Sequence, residues 1–243
     1  LWPSYDAGRL SSYAYLDDVG RDERQDPYFF GASLVERIQQ TQHQEIGTHT
    51  LSHYYCLEPG QKLTQFEADL EAAITLAKRR KINFKSIVFP RNQYATAHVD
   101  ICKRLGIEAF RGTPTQKIYR STPGKDQTML RRAARLVDAH TGMFGDTSFP
   151  MDRRDRANVP ASHFLRPCSG KLGIAHPLHR KMIERSMTMA ANNGRAYHLW
   201  WHPHNFGRDI DANINALKQI LSHFDALRAA FGMRSSHMVG SAE

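Results

Sequence analysis

The sequence predicts an α/β fold, with parallel strands inside and helices outside, in a single domain over residues 1–243. Three observations carry that expectation. Short apolar runs alternate with segments of helical period. Each apolar run ends in a polar or charged residue, where chemistry collects in such folds. The composition, 41% hydrophobic and 23% charged over 243 residues, is that of a globular chain able to bury a core without disulfides or a structural metal.

Residues 1–30 are polar, carry Gly8, Gly20 and several Asp and Arg, and read as a long loop or lid. A helix is expected over 33–41, with Leu34, Val35 and Ile38 on one face. Residues 44–48 are a short strand candidate running into a His-bearing turn. The clearest early helix spans 64–81, where Phe66, Leu70, Ile74 and Ala77 recur at helical spacing. Thr64 and Glu67 have the spacing of a capping box. The apolar run 86–89 reads as a strand that stops at Pro90. A helix over 95–105 ends at Gly106, and a strand over 107–110 runs into Arg111. A helix is expected over 129–137, loop over 142–163, helix over 177–192, strand over 196–201 and a long amphipathic helix over 210–231.

The formal charge of +9 raises the question of an anionic partner such as nucleic acid, membrane or acidic glycan. The basic residues are scattered, with their densest runs at Lys78-Arg79-Arg80-Lys81, Arg131-Arg132 and Arg153-Arg154. Runs this short read as solvated helix faces, and no nucleic-acid partner is expected. Cys56, Cys102 and Cys168 form no CxxC pair, which argues against a disulfide framework and favours a reducing compartment such as the cytoplasm. No apolar run approaches the roughly 20 residues of a membrane span.

Within Gly47-Thr48-His49-Thr50-Leu51-Ser52-His53, two histidines four apart share a face if the turn is helical. Imidazoles at that spacing suit one zinc or similar ion, although a third ligand, a carboxylate, is needed for a catalytic site. Arg91 at the end of the next strand suits pairing with a buried carboxylate. Asn92 and Gln93 beside it suit a sugar hydroxyl or amide. In Tyr197-His198-Leu199-Trp200-Trp201-His202, strand alternation points His198, Trp200 and His202 one way and Leu199 and Trp201 the other. A histidine at the strand end suits general acid or base work on a bound sugar. His198 and His204 read as packing or supporting residues.

Together these residues resemble the polysaccharide deacetylase (NodB-homology) family, carbohydrate esterase family four. Glu45-Ile46-Gly47-Thr48-His49-Thr50-Leu51-Ser52-His53 is similar to its metal motif, Phe89-Pro90-Arg91-Asn92-Gln93 to its arginine motif in an altered order, and Leu199-Trp200-Trp201-His202 to its late L-x-x-H motif. The resemblance covers roughly residues 30–240. It implies a distorted (β/α) barrel, a divalent metal that is usually zinc, and hydrolysis of acetamides on an N-acetylated polysaccharide or oligosaccharide. It implies His49 and His53 as metal ligands, Arg91 as the residue that orients a catalytic carboxylate, and His202 as the acid that protonates the leaving amine. Asn92, Gln93, Arg111 and Trp201 are the expected substrate contacts.

The family's first motif is a strand ending in Asp-Asp. Tyr15-Leu16-Asp17-Asp18 offers one, but only about 30 residues separate Asp18 from His49, and 19–33 is too polar to supply the helix and strand expected between the motifs. Leu1-Trp2-Pro3 instead reads as the tail of that further strand. The barrel is then incomplete at its N-terminus, with the base and third ligand upstream, and the chain as given is expected to be nearly inactive. Two other readings stand beside the enzyme: a non-catalytic glycan-binding module with the same barrel, and a basic nucleic-acid-binding protein. Three placements are expected. His49 and His53 converge; His202 shares their cleft without ligating; and Arg91 lacks a buried acidic partner or borrows one from 1–30.

Overall fold

A computed structural model describes residues 2–150, 157–168 and 175–240. The chain mixes helices with short parallel strands, the α/β class expected. Helix α1 spans Ala32–Gln40, α2 Leu63–Arg79, α3 Thr96–Arg104, α4 Met129–Thr141, α5 His176–Asn192 and α6 Ile210–Phe231. The strands are β1 (Ser86–Ile87), β2 (Ala109–Phe110), β3 (His163–Phe164) and β4 (Leu199–Trp200). Strands β1 and β2 pair in parallel, as do β3 and β4.

Single bridges link the two pairs into one series. Thr48 bridges Ile87 and Phe110 bridges Asn158, both in parallel. Backbone hydrogen bonds fill the gaps: Val88 N–H donates to Thr48 O, Arg111 to Ile87 O, Val159 to Phe110 O, Ala161 to Gly112 O and Leu165 to Trp200 O. The order is therefore 48, β1, β2, 157–164, β4. Because every segment runs the same way, the residues that follow them emerge at one end. Among the described residues no backbone hydrogen bond joins Thr48 to β4, so the series is not closed into a ring.

Two apolar clusters hold the helices to this series. Phe66 and Leu70 of α2 pack with Val99, Ile101 and Cys102 of α3 on Ile87, Phe89 and Phe110. Met182, Ile183 and Met187 of α5 pack with Ile220 and Leu227 of α6 beneath Leu165. Burial at about 25 cal/mol per Å² of apolar surface makes these clusters the main stabilising term. The three cysteines are free thiols, and burial pushes that of Cys102 up to about 12.

Local chemistry sets the helix ends. Thr128 caps α4 by accepting from Arg131 N at 3.2 Å, and left-handed Gly142 closes it. Helix α2 starts one residue before Thr64. Its N-cap is Lys62, and the expected Thr64–Glu67 box does not form. The region expected as loop over 142–163 contains a real segment of the series, 157–163, recruited by Phe110 and His198 rather than by its own pattern. The strand expected over 44–48 contributes the Thr48 bridge alone. Residues 2–30 carry 3-10 turns at Gly8–Leu10 and Ser12–Asp18 and are mostly exposed, tied down where Pro3 is buried and Tyr5 OH donates to Asp69 at 2.6 Å. Leu1 and the Arg153-Arg154 run lie outside the described residues. Among the described residues no helix is long and apolar enough to cross a membrane.

Candidate functional site

The turn after Thr48 is not helical, yet it brings His49 and His53 together. Their ring centroids lie 4.7 Å apart, with the planes at 69°. Left-handed backbone at Thr50 (φ 67°) and His53 (φ 58°) folds the chain back on itself. Positive φ at a β-branched residue is strained, at about 1–3 kcal/mol, and persists only where the surroundings impose it. Here Thr50 N–H donates to Thr48 Oγ1 at 3.1 Å, and Thr50 Oγ1 accepts from Tyr54 N at 2.8 Å.

Asp69 pins the turn from α2. It is fully buried, and its carboxylate accepts from Leu51 N (2.7 Å), Ser52 N (3.2 Å), the Ser52 hydroxyl and the Tyr5 hydroxyl. Sequence reasoning missed this residue. The available signal was its place on the apolar stripe of α2, three residues after Phe66 and one before Leu70. Gly47 is fixed by space: a Cβ there would sit 2.6 Å from Ser86 Oγ and 3.0 Å from Ser86 O. Glu45 of the same motif points elsewhere, accepting from Val239 N at 3.2 Å and lying 3.0 Å from His237 Nδ1.

At the mouth of the cleft, His49 Nδ1 meets Val88 O at 2.5 Å. A carbonyl only accepts, so Nδ1 carries the hydrogen and Nε2 keeps a free lone pair. Crowding by protein atoms pushes the His49 pKa down to about 4, with His53, Arg111 and His202 adding repulsion. Crowding also lowers that of His53, helped by Arg91 and His202. Two neutral imidazoles side by side are in the protonation state that a metal ion requires.

Arg91 and Asn92, after β1, are both left-handed, with φ of 53°. The Arg91 guanidinium lies 4.1 Å over the Tyr55 ring, and Tyr55 in turn contacts His53, with centroids 5.1 Å apart. Among the described residues the acid it pairs with is Glu58, at 4.0 Å, from the loop before α2 rather than from 1–30. Glu58 is already engaged, accepting from Gln93 Nε2 and Gly124 N, both at 2.8 Å. Gln93 is therefore buried as a brace, and its Oε1 accepts from Leu57 N at 3.2 Å.

Arg111, after β2, is buried and stacks 4.0 Å over the Trp200 ring. It donates to Asn92 Oδ1 at 3.0 Å, while its Nε has no partner among the described residues. Burial lowers its pKa to about 10, so it stays protonated at neutral pH. Strand alternation holds at the last segment. Trp200 and His202 face the site with centroids 5.4 Å apart, whereas Trp201 stacks on Phe206 among the residues that pack α5 and α6. The indole brought to the site is Trp200. His202 is close enough to repel both His49 and His53, and partial burial followed by His204 and Arg111 lowers its own pKa.

The donor set fits two corners of a metal site, His49 and His53. Among the described residues no group of three His, Cys, Asp or Glu gathers to hold an ion. Asp17 and Asp18 are exposed in a 3-10 turn and join no such group. No protein-family model, curated protein or solved structure matches the chain.

Proposed function

We propose that this chain is a metal-dependent hydrolase that removes acetyl groups from N-acetylated sugars of a polysaccharide, on a distorted (β/α) barrel framework. The observation that carries the reading is the His49–His53 pair, with the His49 tautomer set by Val88 O. His49 and His53 would hold the ion, and the donor set suits zinc. A bound divalent ion there supplies a Lewis acid and a water of lowered pKa. Arg111 and Trp200 form a cationic and aromatic wall for the sugar. Asn92, braced by Arg111, is placed to bond an acetamide or hydroxyl. His202 rests neutral near pH 7, so its ring takes up a proton before returning one to the leaving amine nitrogen.

One observation favours a second reading, a non-catalytic glycan-binding module: no carboxylate joins the two histidines among the described residues. Turnover is therefore expected to be slow, because without a carboxylate base His202 alone must take the proton of the attacking water and return it to the leaving amine. Zinc-loaded protein is incubated with N-acetylglucosamine oligomers and free acetate is measured. Release that disappears with a chelator and in His53→Ala supports hydrolysis. Oligomer binding without acetate overturns hydrolysis in favour of the module.

A further inference from the structure

Beside the histidine pair lies a cavity of about 220 Å³ that shares Arg91, Asn92 and Trp200 with the site. That is smaller than a drug-sized pocket and suits one sugar-sized group. Arg91, Arg120, Arg135 and Arg166 all line it, with Tyr119, Phe164 and Trp200 as aromatic wall. Among the described residues no Asp or Glu lines it. Two acids close to its lining residues are engaged: Asp138 accepts from the Tyr119 hydroxyl and Phe144 N, and Glu58, 4.0 Å from Arg91, accepts from Gln93 and Gly124.

The guanidiniums are not equivalent. Arg135 spends its Nε on Ile118 O at 2.7 Å. Arg166 has a buried Nε that donates to nothing among the described residues, and its guanidinium lies 6.0 Å from the Phe164 ring centre. Burial lowers the pKa of both, as it does that of Arg111 behind Trp200. Half-buried cations without a carboxylate are unfavourable unless something else neutralises them. A planar guanidinium fork matches a two-oxygen anion and fits it better than a neutral hydroxyl.

We infer that this cavity is a subsite for a sugar carboxylate, so that the glycan taken by the site is acidic, with a uronic acid residue adjoining the N-acetylated one. The choice of a sugar as carrier rests on the deacetylase reading; the anion site itself does not. Arg166 and Arg135 grip the carboxylate from inside, and Arg120 reaches it from the exposed rim.

The test is binding, measured by thermal shift and calorimetry at matched ionic strength with D-glucuronate, D-glucose and sodium sulfate. Glucuronate is expected to bind, glucose not measurably, and sulfate several-fold more weakly than glucuronate. Arg166→Gln is expected to weaken glucuronate at least tenfold. If that variant does not fold by circular dichroism, Arg120→Gln, at an exposed position, is expected to weaken it several-fold. Glucuronate binding by the wild type without acetate release would fail the deacetylase reading alone. Equal binding of glucose and glucuronate, sulfate binding as tight as glucuronate, or wild-type affinity in the folded arginine variant would each overturn the carboxylate subsite.

Discussion

The Arg111 guanidinium stacks 4.0 Å over the Trp200 ring and has no acidic partner among the described residues. A buried cation held by one indole and one amide oxygen is a poor investment in stability. Arg111→Met is therefore expected to leave the unfolding free energy within about 1 kcal/mol of wild type, or above it. The same variant is expected to lose most binding of N-acetylated oligosaccharide. Urea unfolding and calorimetry on one preparation separate the two effects. A large loss of stability would show that Arg111 serves packing.

Asp69→Asn tests the pin beneath the histidine turn. The carboxylate accepts four hydrogen bonds, and an amide presents one oxygen plus a donor facing other donors. A loss of about 2–3 kcal/mol in urea unfolding is expected, together with weaker zinc binding because His49 and His53 no longer converge. Unchanged zinc affinity would mean that the turn holds itself.

Gly47→Ala is expected to cost about 1–3 kcal/mol, because the new methyl meets the Ser86 carbonyl as well as its hydroxyl. Adding Ser86→Ala is expected to recover only part of the loss. Full recovery would place the whole conflict on the hydroxyl.

The helices were legible because their apolar residues recur at helical spacing. The helix over Ile210–Phe231 matches its sequence expectation residue for residue, and α4 overran its expected end because Gly142, not Val137, supplies the stop. The strands were less legible. They are two residues long, and Asn158 joins the series through Phe110 with no alternation of its own. The local motifs named His49, His53, Arg91, Asn92, Arg111 and His202, which the fold gathers at one end. Trp200 and Trp201 could not be ranked from the sequence, since only the packing of α5 and α6 decides which indole is used up. Arg135 and Arg166 come from segments with no motif, and Gln93 looked free because its partner Glu58 lies 35 residues away in sequence.

Acid is expected to destabilise the protein through buried histidines. His179 donates from Nδ1 to Ala139 O at 2.6 Å and accepts Arg166 N–H at Nε2, an arrangement open only to neutral imidazole. Burial lowers its pKa to about 4, against 6.5 in the unfolded chain. The unfolded state therefore binds more protons between those values. Stability is full above pH of about 6.5 and falls as pH drops toward 4, by about 2 kcal/mol from His179 alone at pH 5. Unfolding at pH 7.5 and 5 checks this, and His179→Asn is expected to flatten the slope. An equal slope would assign the effect to His163 and His198, which burial also pushes down to about 4.

The central claim is that His49 and His53 jointly hold a divalent ion, and zinc uptake tests it most directly. Zinc is titrated against a competing chromophoric chelator for wild type, His49→Ala and His53→Ala, with folding checked by circular dichroism. Wild type is expected to take up about one zinc ion per chain, and each folded variant is expected to lose it. No uptake by wild type, or equal uptake by all three proteins, would contradict the claim.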